Sequence, residues 1–195
     1  MTGVQTCALP ISEILQDNFI FHGETNITKD MLRESLSIAQ ERINISSQYM
    51  KENELTDRGW NNEKIARIGT LAEMIAVKYL KEQGLIFIDF TLTRDGINTQ
   101  PDIIWSGNNY DVKGIDTTVQ EFRVNYNAHW RKEKNVTHYI FVKLIDTANA
   151  EIFSCPKTIV THWELKESYS KFYSFPIQQV RDALAQKPQT ALEMP

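Results

Sequence analysis

The hydrophobic spacing of this chain changes once, at Gly84, and that change restricts the architecture more than any other feature. Before it, Met31, Leu32, Leu36, Ile38, Ala39 and Ile43 recur at helical spacing behind a good N-cap, Thr28, and predict a helix to about residue 46. Asp57, Arg58, Gly59, Asn61 and Asn62 interrupt the pattern. A second stripe of Ile65, Ile68, Ala72, Ile75, Ala76 and Tyr79 then predicts a helix to about residue 83, closed by Gly84. Beyond Gly84 the period falls to near two, which marks strands at 85–91, 100–105, 110–115, 138–144 and 151–154. Short helices are expected at 127–134, 157–166 and 176–185, with Pro176 suited to a first helical turn. The expected fold class is α/β, with helices flanking a central mixed sheet.

No repeat, low-complexity tract or long linker divides the 195 residues, so residues 12–195 read as one domain. Its parts are a helical segment 12–60, a core 61–155 and a helical tail 156–195. The opening MTGVQTCALPI follows no useful period and resembles a translated sequencing-library adapter. Residues 1–11 are therefore expected to have no part in the fold, and the natural N-terminus to be missing. No apolar run reaches the roughly eighteen residues of a membrane span. Cys7 and Cys155 form neither a disulfide framework nor a CxxC zinc signal, so a cytoplasmic protein is expected. The net charge of −4 weighs against phosphate binding by the chain as a whole. A local basic strip on an acidic protein can still serve. The sequons at Asn26, Asn44 and Asn135 read as chance.

Most chemistry is concentrated in PDIIWSGNNYDVKG, residues 101–114. Two apolar stretches flank the turn formers Ser106, Gly107, Asn108 and Asn109, which is a hairpin signal. A turn centred between Gly107 and Asn108 sets Asp102 opposite Lys113 and Ile104 opposite Asp111. Asp111 and Lys113, two apart, share a face, so two carboxylates and an ammonium converge. Such a group suits phosphodiester hydrolysis, because hard oxygen ligands hold Mg²⁺ and a lysine stabilises the anionic transition state. A cross-strand ion pair between Asp102 and Lys113 is the plain structural alternative. It leaves Asp111 unexplained, since strand interiors disfavour Asp and this one sits among Tyr110, Val112 and Ile115.

Pro101-Asp102 followed by Asp111-Val112-Lys113 resembles the signature of the PD-(D/E)XK nucleases, the restriction-endonuclease-like superfamily. The order of elements agrees, and the match spans about residues 65–154. In that family an acidic residue on the helix before the core strands joins the site, a place held here by Glu73 in GTLAEMIAVKYL. Glu73 flanks the apolar stripe, with Val77 at i+4, so no i,i+4 salt bridge accounts for it. The resemblance implies Asp102, Asp111 and Glu73 as metal ligands, the Val112 carbonyl as a further one, and Lys113 as the catalytic lysine. It implies Mg²⁺, with Mn²⁺ able to substitute, and DNA as substrate. It also admits a homodimer, since many members cut both strands as dimers. The Q-x-x-x-Y helix motif of exonuclease-like branches has no counterpart, because Gln120 and Tyr126 are wrongly spaced.

Residues 123–134, RVNYNAHWRKEK, interleave Arg123, Arg131, Lys132 and Lys134 with Tyr126, His129 and Trp130. Arg123, Asn125, His129, Arg131 and Lys132 are the candidate DNA contacts, against a solvated helix with Trp130 packed on the sheet. His129, Asn135 and His138 lack the context of an HNH nuclease, and no P-loop, GxGxxG, GxSxG or HExxH occurs. Trp163, Phe172, Tyr173 and Phe175 read as core or interface. The expected function is a Mg²⁺-dependent DNA endonuclease of restriction, phage or mobile-element type. The alternatives are a non-catalytic nucleic-acid-binding protein of the same fold and an interaction protein whose hairpin charges are only a surface pair.

Overall fold

Gly84 adopts a left-handed backbone (φ 67°) just past the second long helix, and strands dominate the chain beyond it. The computed structural model describes residues 18–52, 62–91, 100–132, 134–168 and 170–186. The leader at 1–11 and the break at 57–61 lie outside the described residues. Strand β1 (Ile20–Asn26) precedes helix α1 (Lys29–Glu52), whose first turn is capped where the Met31 N–H donates to Thr28 Oγ1 (3.1 Å). Helix α2 (Glu63–Glu82) starts at Asn62, whose side chain accepts from the Ile65 N–H (3.3 Å).

The remaining elements are β2 (Phe87–Asp89), β3 (Ile103–Trp105), β4 (Asn108–Ile115), β5 (Glu121–Asn125), α3 (Tyr126–His129), β6 (His138–Leu144), β7 (Asn149–Pro156), α4 (Lys157–Val160), β8 (Glu164–Glu167), β9 (Lys171–Pro176) and α5 (Ile177–Ala185). Six strands form one sheet in the order β1-β7-β6-β4-β3-β2, in which β4 and β6 run parallel and every other pair antiparallel. A three-stranded antiparallel sheet, β5-β9-β8, stands beside it. The fold is a mixed α/β arrangement, a mixed sheet flanked by helices.

Each face of the large sheet buries its own core. On one face, α2 lays Leu71, Ala72, Ile75, Ala76, Val77 and Leu80 against Ile103, Tyr110, Val112, Ile140, Val142 and Ile152, and α1 packs on α2. The other face is aromatic, where Tyr139, Phe141 and Phe153 meet Phe122, Trp163, Tyr173 and Phe175 of the region around the small sheet. Strand alternation divides β4 between them: Tyr110 and Val112 turn toward α2, whereas Ile115, and with it Asp111 and Lys113, turns to the aromatic side. Gly114 lets α2 approach. A Cβ there would lie 2.6 Å from the Ile68 carbonyl oxygen and 3.0 Å from the Ala72 Cβ, so only glycine fits under the helix.

Several expectations need correction. Ile65 is 62% exposed, because it lies one turn ahead of the point where α2 crosses β4. The helix expected at 157–166 stops at Val160; Ile159, Val160 and Trp163 have helical spacing, but Trp163 turns into the aromatic core and β8 follows. Strands β1, β5, β8 and β9 carry no period-two signal strong enough to predict. Trp163, Tyr173 and Phe175 are core residues, as expected.

Candidate functional site

The β3–β4 hairpin turns on two residues, Ser106 (φ 48°) and Gly107 (φ 76°), both with the positive φ that a type I′ turn requires. Asn108 and Asn109 therefore belong to the strand, and the pairs are Ile103 with Tyr110, Ile104 with Asn109 and Trp105 with Asn108. The expected register, with Asp102 across from Lys113 and Ile104 across from Asp111, is displaced by two residues. A shift of two keeps every side chain on its face. Past Ile103 the ladder becomes irregular, as the Asp102 N–H donates to the Tyr110 carbonyl (2.9 Å) and the Val112 N–H donates to Asp102 Oδ2 (2.7 Å). The Asp102 carboxylate thus takes the place of a backbone acceptor and is held beside Asp111.

Both aspartates are buried, Asp102 at 4% exposure and Asp111 at 5%. Their other near oxygens meet one ammonium: Lys134 Nζ donates to Asp102 Oδ1 (3.1 Å) and to Asp111 Oδ1 (2.9 Å). Lys113 pairs with the second oxygen of Asp111. Burial and the charge of Asp111 raise the Asp102 carboxyl to about 6, against the pull of Lys134, Lys113 and the Val112 N–H. Burial acts to raise Asp111 as well, but Lys113 and Lys134 outweigh it and hold that carboxyl well below the usual range.

Glu73 belongs to an adjoining network. Arg42 of α1 donates through Nη2 to Glu73 Oε2 (2.7 Å) and to the Thr91 carbonyl, and through Nη1 to Thr70 Oγ1 (3.1 Å). Burial, with the charge of Asp102 behind it, pushes the Glu73 carboxyl up to about 8 despite the guanidinium. The structure therefore brings Asp102, Asp111 and Lys113 together as expected and ties Glu73 to them through their field. It does not gather Glu73 with the aspartates into one ligand set: among the described residues no group of three or more His, Cys, Asp or Glu stands ready to hold a metal ion. Val112 enters through its N–H.

Two cations here were not among the predicted site residues. In the sequence Lys134 is only part of a basic stretch, and Arg42 lies thirty-one positions from its partner Glu73, too far for any local motif. Lys157, at the start of α4, also feels Asp111, whose charge opposes the downward effect of burial on its ammonium.

The candidate DNA contacts divide. His129 is a correction: at 1% exposure its Nδ1 shares a hydrogen bond with the Tyr139 hydroxyl (3.1 Å), and burial lowers its pKa to about 4, which makes it a neutral core imidazole. Asn125 accepts from the Ala128 N–H (3.2 Å) and so caps α3. Arg123 pairs with Glu121 (3.1 Å) and lies over the Phe172 ring. Arg131 and Lys132 are exposed, and Trp130 beside them is 52% exposed, with its Nε1 donating to the Tyr173 hydroxyl (3.3 Å).

No family model matches this chain, and neither curated proteins nor solved structures yield a match to it. Among the described residues no helix is long and apolar enough to cross a membrane.

Proposed function

We propose that this chain is a Mg²⁺-dependent DNA endonuclease with a restriction-endonuclease-like core, in which Asp102 and Asp111 hold the metal, Lys113 serves the reaction and Glu73 assists. The observation that carries this reading is the convergence of two buried carboxylates on a single cationic group, with a second lysine on one of them. A pair of acids withdrawn from water and facing each other is costly unless a cation joins them. Hard oxygen donors of this kind suit Mg²⁺ or Mn²⁺, so the two aspartates fit such an ion by donor chemistry and by charge. When bound, a divalent ion supplies charge for a phosphoryl oxygen and acidifies water.

The chain's own groups account for the rest. Asp102 is fixed by the Val112 N–H, which leaves its other oxygen directed at the shared cation position. Lys113 stands on the same strand face as Asp111, where its ammonium can meet a nonbridging phosphate oxygen. Glu73, held by Arg42, is a reserve carboxyl that an added positive charge would favour in its ionised form. Exposed Trp130, Arg131 and Lys132, on the loop that leads to Lys134, offer a stacking ring and two phosphate contacts. Dimer formation would allow both strands of a duplex to be cut.

Plasmid nicking tests the reading. Wild-type protein with Mg²⁺ or Mn²⁺ should relax supercoiled DNA, and Asp111→Asn and Lys113→Ala, with unchanged melting, should lose at least about a hundredfold of that activity. Absence of nicking with either metal would end it. A second reading, a nucleic-acid-binding protein without catalysis, is favoured by one observation: Arg42, Lys113 and Lys134 already balance Glu73, Asp102 and Asp111. DNA binding that survives EDTA, with no cleavage, would select it.

A further inference from the structure

Among the described cations at this site, Lys134 alone contacts both aspartates, and it comes from the loop between α3 and β6, outside the hairpin. Its side chain is only 16% exposed, so its ammonium has largely left water for those two carboxylates. We propose that Lys134 is an internal counter-cation of the site, which a divalent ion must displace in order to bind. The proposal rests on the nuclease reading of the same two aspartates.

The geometry leaves no room for both. Lys134 Nζ lies about equally far from one oxygen of each aspartate, at 3.1 and 2.9 Å. A divalent ion held by the same two oxygens, at roughly 2.0–2.6 Å, would occupy nearly the same point, and two cations cannot share it. The Coulomb attraction favours the exchange, because a dication between two carboxylates is held more strongly than an ammonium at the same place, and it works against the cost of removing the ion's water. Lys113 stays on the far oxygen of Asp111 and is not in competition.

The loop backbone is tied down on the downstream side of Lys134. Asn135, with φ 45°, sends its N–H to the Lys132 carbonyl (3.0 Å) and accepts from Asn109 Nδ2 (2.9 Å) of β4. Release of Lys134 therefore needs only rotation of a flexible four-carbon side chain. A lysine acting only as a structural staple would remain on the aspartates whatever ion is added.

Two measurements on the full chain test this. In the first, wild-type protein is pulse-acetylated with and without Mn²⁺, and labelling is read by mass spectrometry at Lys134 and at the buried Lys143. Mn²⁺ should raise Lys134 labelling several-fold and leave Lys143 unchanged. In the second, Mn²⁺ titration followed by electron paramagnetic resonance compares wild type with Lys134→Met, which should bind about tenfold more tightly, a usual coupling between competitors for one site. Wild type that binds Mn²⁺ without a change at Lys134, and a variant that binds no more tightly, would overturn the proposal and leave the metal reading standing. Failure of both proteins to bind Mn²⁺ would overturn both. Should Lys134→Met not fold, the labelling of wild type decides alone.

Discussion

A buried lysine, Lys143, and a half-buried one, Lys134, stand near opposite ends of the parallel β4–β6 pair, and they face different partners. Lys143, opposite Ile115, donates to the Asp116 and Thr117 carbonyls at 2.7 and 2.8 Å. Lys134, near the end where Asp111 pairs with Tyr139, donates to two carboxylates. Burial, aided by Arg181, lowers the Lys143 ammonium, whereas at Lys134 the charges of Asp111 and Asp102 overcome burial and raise it. Neutral carbonyls make a lysine into a clamp on a loop. Carboxylates make it a counter-ion, and a counter-ion can be exchanged for another cation.

The largest expected effect separates the two directly. Lys134→Met, measured by urea unfolding without metal, should lose about 3 kcal/mol, because it leaves buried Asp102 without an ion-pair partner and Asp111 with Lys113 alone. Added Mn²⁺ should return most of that stability to Lys134→Met. Lys143→Met removes hydrogen bonds to neutral acceptors only and should cost about 1 kcal/mol, with no response to Mn²⁺. Equal losses, both blind to Mn²⁺, would erase the distinction and make Lys134 a clamp as well.

Between these in size is Gly114→Ala, on β4 one residue before the Ile115 that pairs with Lys143. A methyl group there meets the Ile68 backbone, which cannot rotate away, so about 2 kcal/mol should be lost in the same urea experiment. A loss well under 1 kcal/mol would mean that α2 rides loosely over β4 and that Glu73 is not held in register with the aspartates.

The sequence reveals the two ends of this comparison unequally. The hairpin acids and Lys113 are legible because strand alternation fixes faces whatever the register, and the error of two residues changed no side. The long helices are legible from their stripes and from Gly84. Lys134 and Arg42 are not, because each reaches its partner from a separate element and no spacing rule links them. His129 misleads for a related reason: a basic, aromatic stretch looks solvent-facing until the fold places that imidazole against Tyr139. Strands β8 and β9 escape notice because the apolar residues just before β8 and on β9, Trp163, Tyr173 and Phe175, serve a core that exists only once the two sheets meet.

The last effect is a slope with pH, and it bears on the Lys134 end alone. The Glu73 carboxyl, at about 8 in the folded chain against an ordinary 4.5, binds its proton more tightly when folded. Between those values the native state carries more protons than the unfolded one, so the stability Glu73 contributes is complete below pH 4.5 and falls as pH rises to 8. Asp102 acts in the same sense over a narrower range, up to about 6. Asp111, depressed by its lysines, acts in the opposite sense and only at acid pH, losing its contribution as pH falls. Glu73→Gln keeps an acceptor for Arg42 and removes the titration. Its melting temperature relative to wild type should therefore climb steadily between pH 5 and pH 8. A constant difference would mean that Arg42 keeps Glu73 ionised throughout, and that Glu73 is a plain salt-bridge partner with no part in accommodating a cation.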